Sequence, residues 1–238
     1  MKTKCYALLM MGGSGTRFGA SLPKQFTDIN GKPLFTYIAR ALSRLDFLDG
    51  IVIVVNGLFL DFTKEWVGNL GIGKVVAIVP GGENRSCSVY NGLKALDGVA
   101  ADDDVVLMHD ATHPYVDVAG TEEVVRMVRG FGSATLGSLI YDTAYRMDGD
   151  SNLVNVEQRR ELVVGASPEG FKYRQIYDIY ANTPSEKMEM MTSVGAIALA
   201  NNIPMKIVPT KVLNLKITYP EDMDLFLRLQ KEGYFFHE

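Results

Sequence analysis

Short apolar runs rich in β-branched residues alternate along this chain with stretches in which apolar positions recur at helical spacing. Period-two or continuous apolar runs predict strands at 6–11, 51–55, 74–79, 105–108 and 134–140. Helical spacing appears at 34–45, 58–70, 86–96, 121–129, 171–180 and 221–229. Strands that alternate with helices in this way predict an α/β fold, a Rossmann-like, doubly wound and mostly parallel sheet with right-handed crossovers.

The pattern changes between positions 142 and 164. Short alternating runs at 143–147, 152–156 and 161–164 are separated by the turn sequence Asp148-Gly149-Asp150. This predicts a β-arm that projects from the main sheet. The chain shows no internal repeat, low-complexity tract or linker, so we expect one domain over 1–238 that carries the arm at about 142–164.

Composition narrows the class of protein. A chain of 238 residues that is 47% hydrophobic can bury a full core, and a net charge of −4 without basic runs argues against nucleic-acid binding. Apolar runs fall short of the roughly 20 residues of a membrane helix, and the first apolar segment is too short for a signal peptide. Cys5 and Cys87 lack the spacing of a zinc site. We expect a cytoplasmic protein that uses its cations on a small anionic ligand and does not bind membranes.

A glycine-rich segment, Gly12-Gly13-Ser14-Gly15-Thr16-Arg17, directly follows the first predicted strand. Glycines at a strand exit let backbone N–H groups approach an anion, and Arg17 and Lys24 place two cations in the same loop. The segment matches neither the dinucleotide fingerprint nor the P-loop. It predicts a triphosphate-binding loop, with an ordinary tight turn as the alternative.

Two more polar clusters follow predicted strands. Gly81-Gly82-Glu83-Asn84-Arg85 follows the third strand, and His109-Asp110-Ala111-Thr112-His113 follows the fourth. Ligands of doubly wound sheets bind over the carboxyl ends of the strands, so these clusters should converge. Asp110 could hold Mg²⁺ against phosphate oxygens or could cap a turn. His109 is better interpreted as a packed, hydrogen-bonded residue than as half of a catalytic pair with His113.

The remaining candidates have plain structural alternatives. Ser86 and Ser88, with the free N–H groups of a helix start, could contact the polar edge of a base or belong to an ordinary capped helix. Lys216 precedes a helix start and could be a solvated edge charge. Arg159 and Arg160 lie on the arm, where arginines commonly belong to the surface.

Taken together, these motifs resemble those of the CTP-dependent cytidylyltransferases, and the resemblance covers nearly the whole chain. It also includes Pro23-Lys24-Gln25-Phe26, Ser88-Val89, Asp142-Thr143, Asn214-Leu215-Lys216-Ile217-Thr218 and Pro220-Glu221-Asp222. The nearest branches act on 2-C-methyl-D-erythritol 4-phosphate and on ribitol 5-phosphate. Five motifs in order are far more specific than any one of them.

The resemblance implies a role for each matching residue. Catalysis would fall to Arg17, Lys24 and Lys216, and Mg²⁺ would be held by Asp110. The acceptor phosphate would be bound by His113, Thr143, Arg159 and Lys216, with Arg159 supplied by the partner subunit of a homodimer. Nucleotide binding would involve Met11, Gly12, Gly13, Ser14, Gly15, Thr16, Arg17, Lys24, Gly82, Glu83, Arg85, Ser88, Asp110 and Ala111.

The chemistry implied by the resemblance agrees with the residue types. Attack of an acceptor phosphate on the α-phosphate of CTP joins two anions, so catalysis needs charge cancellation and in-line positioning more than a general base. The clusters are accordingly rich in Arg, Lys and Asp and lack a Ser-His-Asp or Cys-His arrangement.

Departures from the family pattern fall in the acceptor half. His113 stands where the family has an arginine, Ala166-Ser167-Pro168-Glu169 where it has Gln-Thr-Pro-Gln, and Ser193 where an acidic residue follows the threonine. An arginine lost at position 113 weakens phosphate capture. Two alternatives therefore stay open: a nucleotidyltransferase for another sugar-phosphate or phosphonate acceptor, and a non-catalytic nucleotide-binding homologue.

Overall fold

The computed structural model describes residues 3–12, 22–184, 186–187 and 193–234. Within these residues, seven strands form one sheet in the order β11-β7-β10-β6-β1-β4-β5. These strands are β1 (Cys5–Met11), β4 (Gly50–Val55), β5 (Val75–Pro80), β6 (Val105–Asp110), β7 (Ser133–Leu139), β10 (Val163–Lys172) and β11 (Lys206–Thr210). Only β10 runs against its two neighbours, so the predicted mostly parallel α/β sheet is confirmed.

Two short antiparallel pairs lie beside this sheet. One is β2 (Asp28–Ile29) with β3 (Lys32–Pro33), and the other is β8 (Tyr145–Met147) with β9 (Leu153–Val156). The helices are α1 (Leu34–Ser43), α2 (Leu60–Asn69), α3 (Arg85–Lys94), α4 (Val118–Phe131), α5 (Tyr173–Asn182), α6 (Val194–Ala200) and α7 (Pro220–Lys231). None of the helices in the described part of the chain has the length and apolarity that a membrane crossing requires.

The sheet is covered on both faces, as its strand sequences require. Alternate residues of β1 point to opposite sides, so Leu9 packs with α1 and α4 while Leu8 packs with α3, α5 and α6. The β1 side chains are buried throughout, which explains why this strand reads as a continuous apolar run. Helix α7 packs separately, with Phe226 against Leu34 and Ile217. The layers leave the carboxyl ends of the parallel strands free to carry polar residues.

The expected arm is shorter than predicted. The β8–β9 hairpin is present, and the Asp148 carboxylate accepts backbone N–H groups in the turn at its tip. However, Val163 and Val164 pair with Leu139 and Ser138 in the main sheet, so the third predicted run does not belong to the arm. The arm, defined here as residues 142–158, therefore ends before β10.

Strand β10 also corrects a helix boundary. The predicted helix at 171–180 begins only at Tyr173, because Phe171 and Lys172 are still paired with Val106 and Val105 in the sheet. Strand β11 and helix α6 are further elements that the hydrophobic pattern did not predict. In β11, exposed and buried residues mix without a clean period, since this strand lies at the edge of the sheet.

Candidate functional site

The carboxyl ends of β1 and β6 lie side by side. Met10 pairs with Asp110 in the parallel register, and the backbone N–H of Ala111 donates to the Met10 carbonyl at 3.0 Å. Strand β5 ends two positions further along the sheet and leads through Gly81 into helix α3. The predicted convergence of polar clusters on one rim is confirmed for the clusters after β5 and β6, since Arg85 contacts Asp110.

The exit of β1 approaches helix α3 closely at Gly12. A Cβ atom at this position would lie 3.0 Å from the Ser88 Oγ, so a larger residue would push against the helix start. Gly13, Ser14, Gly15, Thr16 and Arg17 lie outside the described residues. The predicted triphosphate-binding role of this loop therefore stays a prediction.

The two residues that follow Lys24 hold its segment in place. The buried Gln25 side chain donates to the Met11 carbonyl at 2.8 Å, which satisfies the end of β1. Phe26 stacks on Phe59, with 4.3 Å between ring centroids. The Lys24 ammonium in turn donates to the Ile217 carbonyl at 2.5 Å, next to Lys216. Sequence reasoning predicted Lys24 and missed Gln25, although its place inside the Pro23-Lys24-Gln25-Phe26 motif was a usable signal.

A hydrogen-bonded cap organises the start of α3. The Ser88 hydroxyl, which is 3% exposed, donates to the Asn84 carbonyl at 2.8 Å and accepts from the Gly82 N–H at 3.0 Å. The Asn84 side chain accepts from the Cys87 N–H at 2.8 Å. These contacts fit the capped-helix alternative for the serine-rich turn, in which Ser88 shapes the Gly82 loop. Whether Ser88 also contacts a base stays a prediction, as does the role of the exposed Glu83.

Asp110 lies between two cations at the end of β6. The Arg85 guanidinium donates to its Oδ1 at 2.8 Å, and the Lys216 ammonium donates to its Oδ2 at 2.9 Å. Burial raises the pKa of this carboxyl, but the two cations outweigh burial and hold the pKa well below its usual range. Burial lowers the pKa of Arg85, but the carboxylates of Asp110 and Glu169 outweigh burial and raise it. Asp110 is therefore a fixed negative charge, and its carboxylate pairs with side chains instead of capping a turn.

The loop after β6 joins the two lysines to Asp110. The Ile217 N–H donates to the Thr112 carbonyl at 2.8 Å, which ties the segment of Lys216 to this loop. The Ser167 hydroxyl accepts from the Asp110 N–H at 3.3 Å. Arg85 and Lys216 thus contact one carboxylate, and Lys24 contacts the Ile217 carbonyl next to Lys216, although the three cations are distant in sequence. This clustering of cations suits a polyanionic ligand.

The two histidines are buried beneath this rim. Burial lowers the pKa of His109 to about 4 and that of His113 to about 3. The His109 Nε2 lies 3.4 Å from the His113 carbonyl, whereas its buried Nδ1 has no hydrogen-bond partner among the described residues. His109 is thus packed in the core, as predicted. His113 is neutral at pH 7 and only 8% exposed, so it offers no positive charge to an acceptor phosphate.

Glu169 lies beside Arg85, although sequence reasoning assigned it no role. Its Oε2 lies 4.0 Å from the Arg85 Nη2, and its Oε1 accepts from the Gly195 N–H at 2.8 Å. Burial raises the pKa of Glu169. Ser193, another departure from the family pattern, caps helix α6 by accepting from the Ala196 N–H at 3.1 Å. The only sequence signal for Glu169 was its departure from glutamine.

The arm residues expected in the acceptor site lie elsewhere in this chain. Thr143 is exposed in the segment between β7 and β8. Arg159 is exposed in a short helical turn after the arm, and its guanidinium donates to the Tyr141 carbonyl. The Arg159 contact lies at the base of the arm, and among the described residues neither Thr143 nor Arg159 hydrogen-bonds or pairs with Asp110 or Lys216.

The residues at this rim fit a Mg²⁺ ion only if substrate phosphates supply some of its ligands. In the part of the chain that the structure describes, no three His, Cys, Asp or Glu side chains cluster closely enough to hold a metal alone. Mg²⁺ commonly binds through one or two carboxylates together with substrate phosphates. Asp110, which is ionised and partly exposed, is a carboxylate of the kind that such a site requires.

Comparison with known proteins places this geometry in a family. The model of the IspD family, 2-C-methyl-D-erythritol 4-phosphate cytidylyltransferase, matches residues 5–227. The chain belongs to this family. The range matched by the family model includes Lys24, Arg85, Asp110 and Lys216 as well as the whole arm. The resemblance found in the sequence is therefore confirmed.

Curated relatives in the IspD family are similar over nearly their whole length. The chain is 34% identical to the 2-C-methyl-D-erythritol 4-phosphate cytidylyltransferase of Pelotomaculum thermopropionicum, which covers 92% of this chain and 91% of the relative. It is 32% identical to the protein of that name from Clostridium botulinum strain 657, with 94% and 96% covered.

Solved structures share the fold. The 4-diphosphocytidyl-2C-methyl-D-erythritol synthase of Anaerococcus prevotii superposes with a TM-score of 0.80 at 20% identity, covering 97% of this chain and 96% of that one. The Francisella tularensis 2-C-methyl-D-erythritol 4-phosphate cytidylyltransferase gives 0.76 at 21% identity, with 94% and 98% covered. At such identities the likeness supports the fold alone.

Proposed function

We propose that this protein transfers CMP from CTP to 2-C-methyl-D-erythritol 4-phosphate and releases pyrophosphate. The observation that carries the proposal is the cluster in which Arg85 and Lys216 contact Asp110 and Lys24 hydrogen-bonds to Ile217, next to Lys216. Family membership indicates the substrates, and the cluster provides the positive charge that two phosphate-bearing reactants require. The enzyme belongs to the nucleotidyltransferases.

In the proposed mechanism, the acceptor phosphate attacks the α-phosphate of CTP and pyrophosphate leaves on the opposite side. Lys24 stabilises negative charge that develops on the α-phosphate, and Arg17 neutralises the triphosphate. Lys216 orients the acceptor phosphate for in-line attack. The acceptor phosphate is already ionised near neutral pH, so no side chain needs to remove a proton. Asp110 would hold Mg²⁺, which supplies charge neutralisation on the triphosphate.

We further propose that the active form is a homodimer built through the arm. The arm exposes apolar side chains on both strands: Tyr145, Met147, Leu153, Val154 and Val156 are 54–70% exposed. A patch of this kind on a cytoplasmic protein favours burial against a partner. Arg159 at the base of the arm would then reach the acceptor site of the other subunit.

A different acceptor is the second candidate, and His113 favours it. The imidazole is buried and neutral, so this chain gives the acceptor phosphate less positive charge than a site with an arginine there. Ribitol 5-phosphate and other phosphorylated polyols, sugars or phosphonates therefore belong in the same test.

Pyrophosphate release from CTP decides among these functions. Purified protein with CTP and Mg²⁺ should release pyrophosphate with 2-C-methyl-D-erythritol 4-phosphate and show no release without an acceptor. A higher kcat/KM for another acceptor would replace the proposed substrate. Release with none of the acceptors, despite CTP binding, would favour the non-catalytic alternative.

A further inference from the structure

Arg85 faces two carboxylates that reach it from different parts of the fold. Its Nη2 lies 2.8 Å from the Asp110 Oδ1 and 4.0 Å from the Glu169 Oε2. All three side chains are at most about one-third exposed, with values of 34%, 19% and 17%. Charges in such a partly buried setting interact more strongly than they do on an open surface.

Both oxygens of the Asp110 carboxylate accept a hydrogen bond from a cation in this arrangement. Arg85 occupies one oxygen and Lys216 occupies the other. Each oxygen keeps a second lone pair, but a metal ion that binds this carboxylate draws negative charge away from at least one of the two cations. The cation left behind would be poorly compensated in a partly buried position, which is costly without a second partner.

Glu169 is held where it can be that second partner. Its Oε1 is anchored by the Gly195 N–H at 2.8 Å, so the carboxylate has a fixed orientation. The Oε2 consequently stays on the side of Arg85. The guanidinium is planar and carries five donors, so it can turn from one carboxylate to another without leaving its place.

We propose that Glu169 is a positioning residue that acts through Arg85: it takes over the guanidinium when CTP with Mg²⁺ engages Asp110. The inference rests on the proposed function and adds a residue to it. A glutamine at position 169 would keep an acceptor for the Gly195 N–H but would offer Arg85 no charge.

The proposed transfer of Arg85 to Glu169 and a simple charge effect predict opposite changes in CTP affinity for Glu169→Gln. If Glu169 only added negative charge near the site, its neutralisation should tighten the binding of anionic CTP. If it receives Arg85, its neutralisation leaves Asp110 as the only carboxylate for that guanidinium and weakens binding of CTP with Mg²⁺.

Calorimetric titration with CTP and Mg²⁺, without acceptor, measures this difference while nothing turns over. We expect Glu169→Gln to weaken binding about tenfold, the size of a coupling between adjacent charged groups. With a chelator in place of Mg²⁺, we expect unchanged or tighter binding. Glu123→Gln is the matched control, because Glu123 pairs with Arg126 on the exposed face of α4 and should leave both values unchanged.

A double-mutant cycle shows whether the effect passes through Arg85. In an Arg85→Gln background, Glu169→Gln should no longer weaken binding, whereas a purely structural role would persist there. Arg85→Lys is a second variant that does not depend on the folding of Glu169→Gln. One ammonium serves two carboxylates poorly, so we expect this variant to weaken CTP binding with Mg²⁺ as well.

The outcomes separate this inference from the proposed function. Unchanged or tighter binding of CTP with Mg²⁺ by Glu169→Gln, or a weakening that persists without Arg85, would overturn the role of Glu169 alone. Parental protein that binds no CTP in the presence of Mg²⁺ would instead contradict the proposed function.

Discussion

The strand-end cluster and the arm present their polar residues in opposite ways. At the ends of β1 and β6, side chains are held by other parts of the same chain: Gln25 by the Met11 carbonyl, and Asp110 by Arg85 and Lys216. In the arm region, Thr143 and Arg159 are exposed, and the flanking strands present apolar side chains to solvent. The first region is preorganised within one chain, whereas under the proposed function the second gains its role only when another subunit covers it.

This difference gives a rule for where substitutions should act. Changes in the cluster should affect the chemical step within each subunit, because its charges are already in place. Changes in the arm should affect acceptor binding alone, and their effect should depend on the oligomeric state. The following experiments test this division from the largest expected effect to the smallest.

Lys24→Ala should have the largest effect. We expect kcat to fall about 10²- to 10³-fold, as when one preorganised group that stabilises transition-state charge is removed, while CTP binding changes much less. Steady-state pyrophosphate release and calorimetry measure the two quantities. Lys64→Ala is the control, since Lys64 is exposed on α2 and pairs with Asp61. Near-parental turnover by Lys24→Ala would remove the cluster from the chemical step.

Asp110→Asn should reduce turnover about 10²-fold and remove most of its dependence on Mg²⁺, because an amide holds the ion weakly. Thermal unfolding should show that the variant still folds. The exposed Asp102, which pairs with Arg174 at 3.0 Å, provides the control Asp102→Asn. Full Mg²⁺-dependent activity in Asp110→Asn would show that this carboxylate has only a structural role.

Arg159→Ala should raise the KM for the acceptor about tenfold and leave the KM for CTP nearly unchanged. The adjacent Arg160 hydrogen-bonds Gln158 on the surface, so Arg160→Ala is a closely matched control. Equal effects of the two substitutions would show that the arginines contribute only general surface charge.

Subunit mixing tests whether Arg159 acts across the dimer. Arg159→Ala and Lys24→Ala subunits should regain activity when they are mixed, because one site of each heterodimer then has both residues intact. Subunit exchange is verified first by a mass-tagged partner. A mixture as inactive as its parents would contradict action in the neighbouring subunit.

Stability should fall modestly in mild acid. Burial holds the pKa of His109 at about 4 and that of His113 at about 3, both below the usual value near 6.5. The unfolded chain therefore binds protons that the folded chain rejects, so stability is full above about pH 6.5 and declines as pH falls toward these lower values. We expect a loss on the order of 2 kcal/mol per imidazole at pH 5. Chemical denaturation at pH 7 and pH 5 measures it, and His113→Asn should flatten the slope.

The sequence by itself determined the fold class and indicated which charged residues follow the strands. Buried parallel strands such as β1 are continuous apolar runs, and the polar residues that follow them must lie at one edge of the sheet. This reasoning predicted that Lys24, Arg85 and Asp110 would converge. The resemblance added Lys216, which spacing alone left as a possible edge charge.

Tertiary structure decided the rest, because the remaining features depend on contacts between distant segments. Burial made His113 neutral, and the pairing of Val163 with Leu139 shortened the arm. No local pattern predicts that Glu169 faces Arg85, since this contact needs β10 to run antiparallel beside β6 and α6 to anchor the carboxylate. Local periodicity reports which face of an element is buried, whereas only the assembled sheet determines which charges become neighbours.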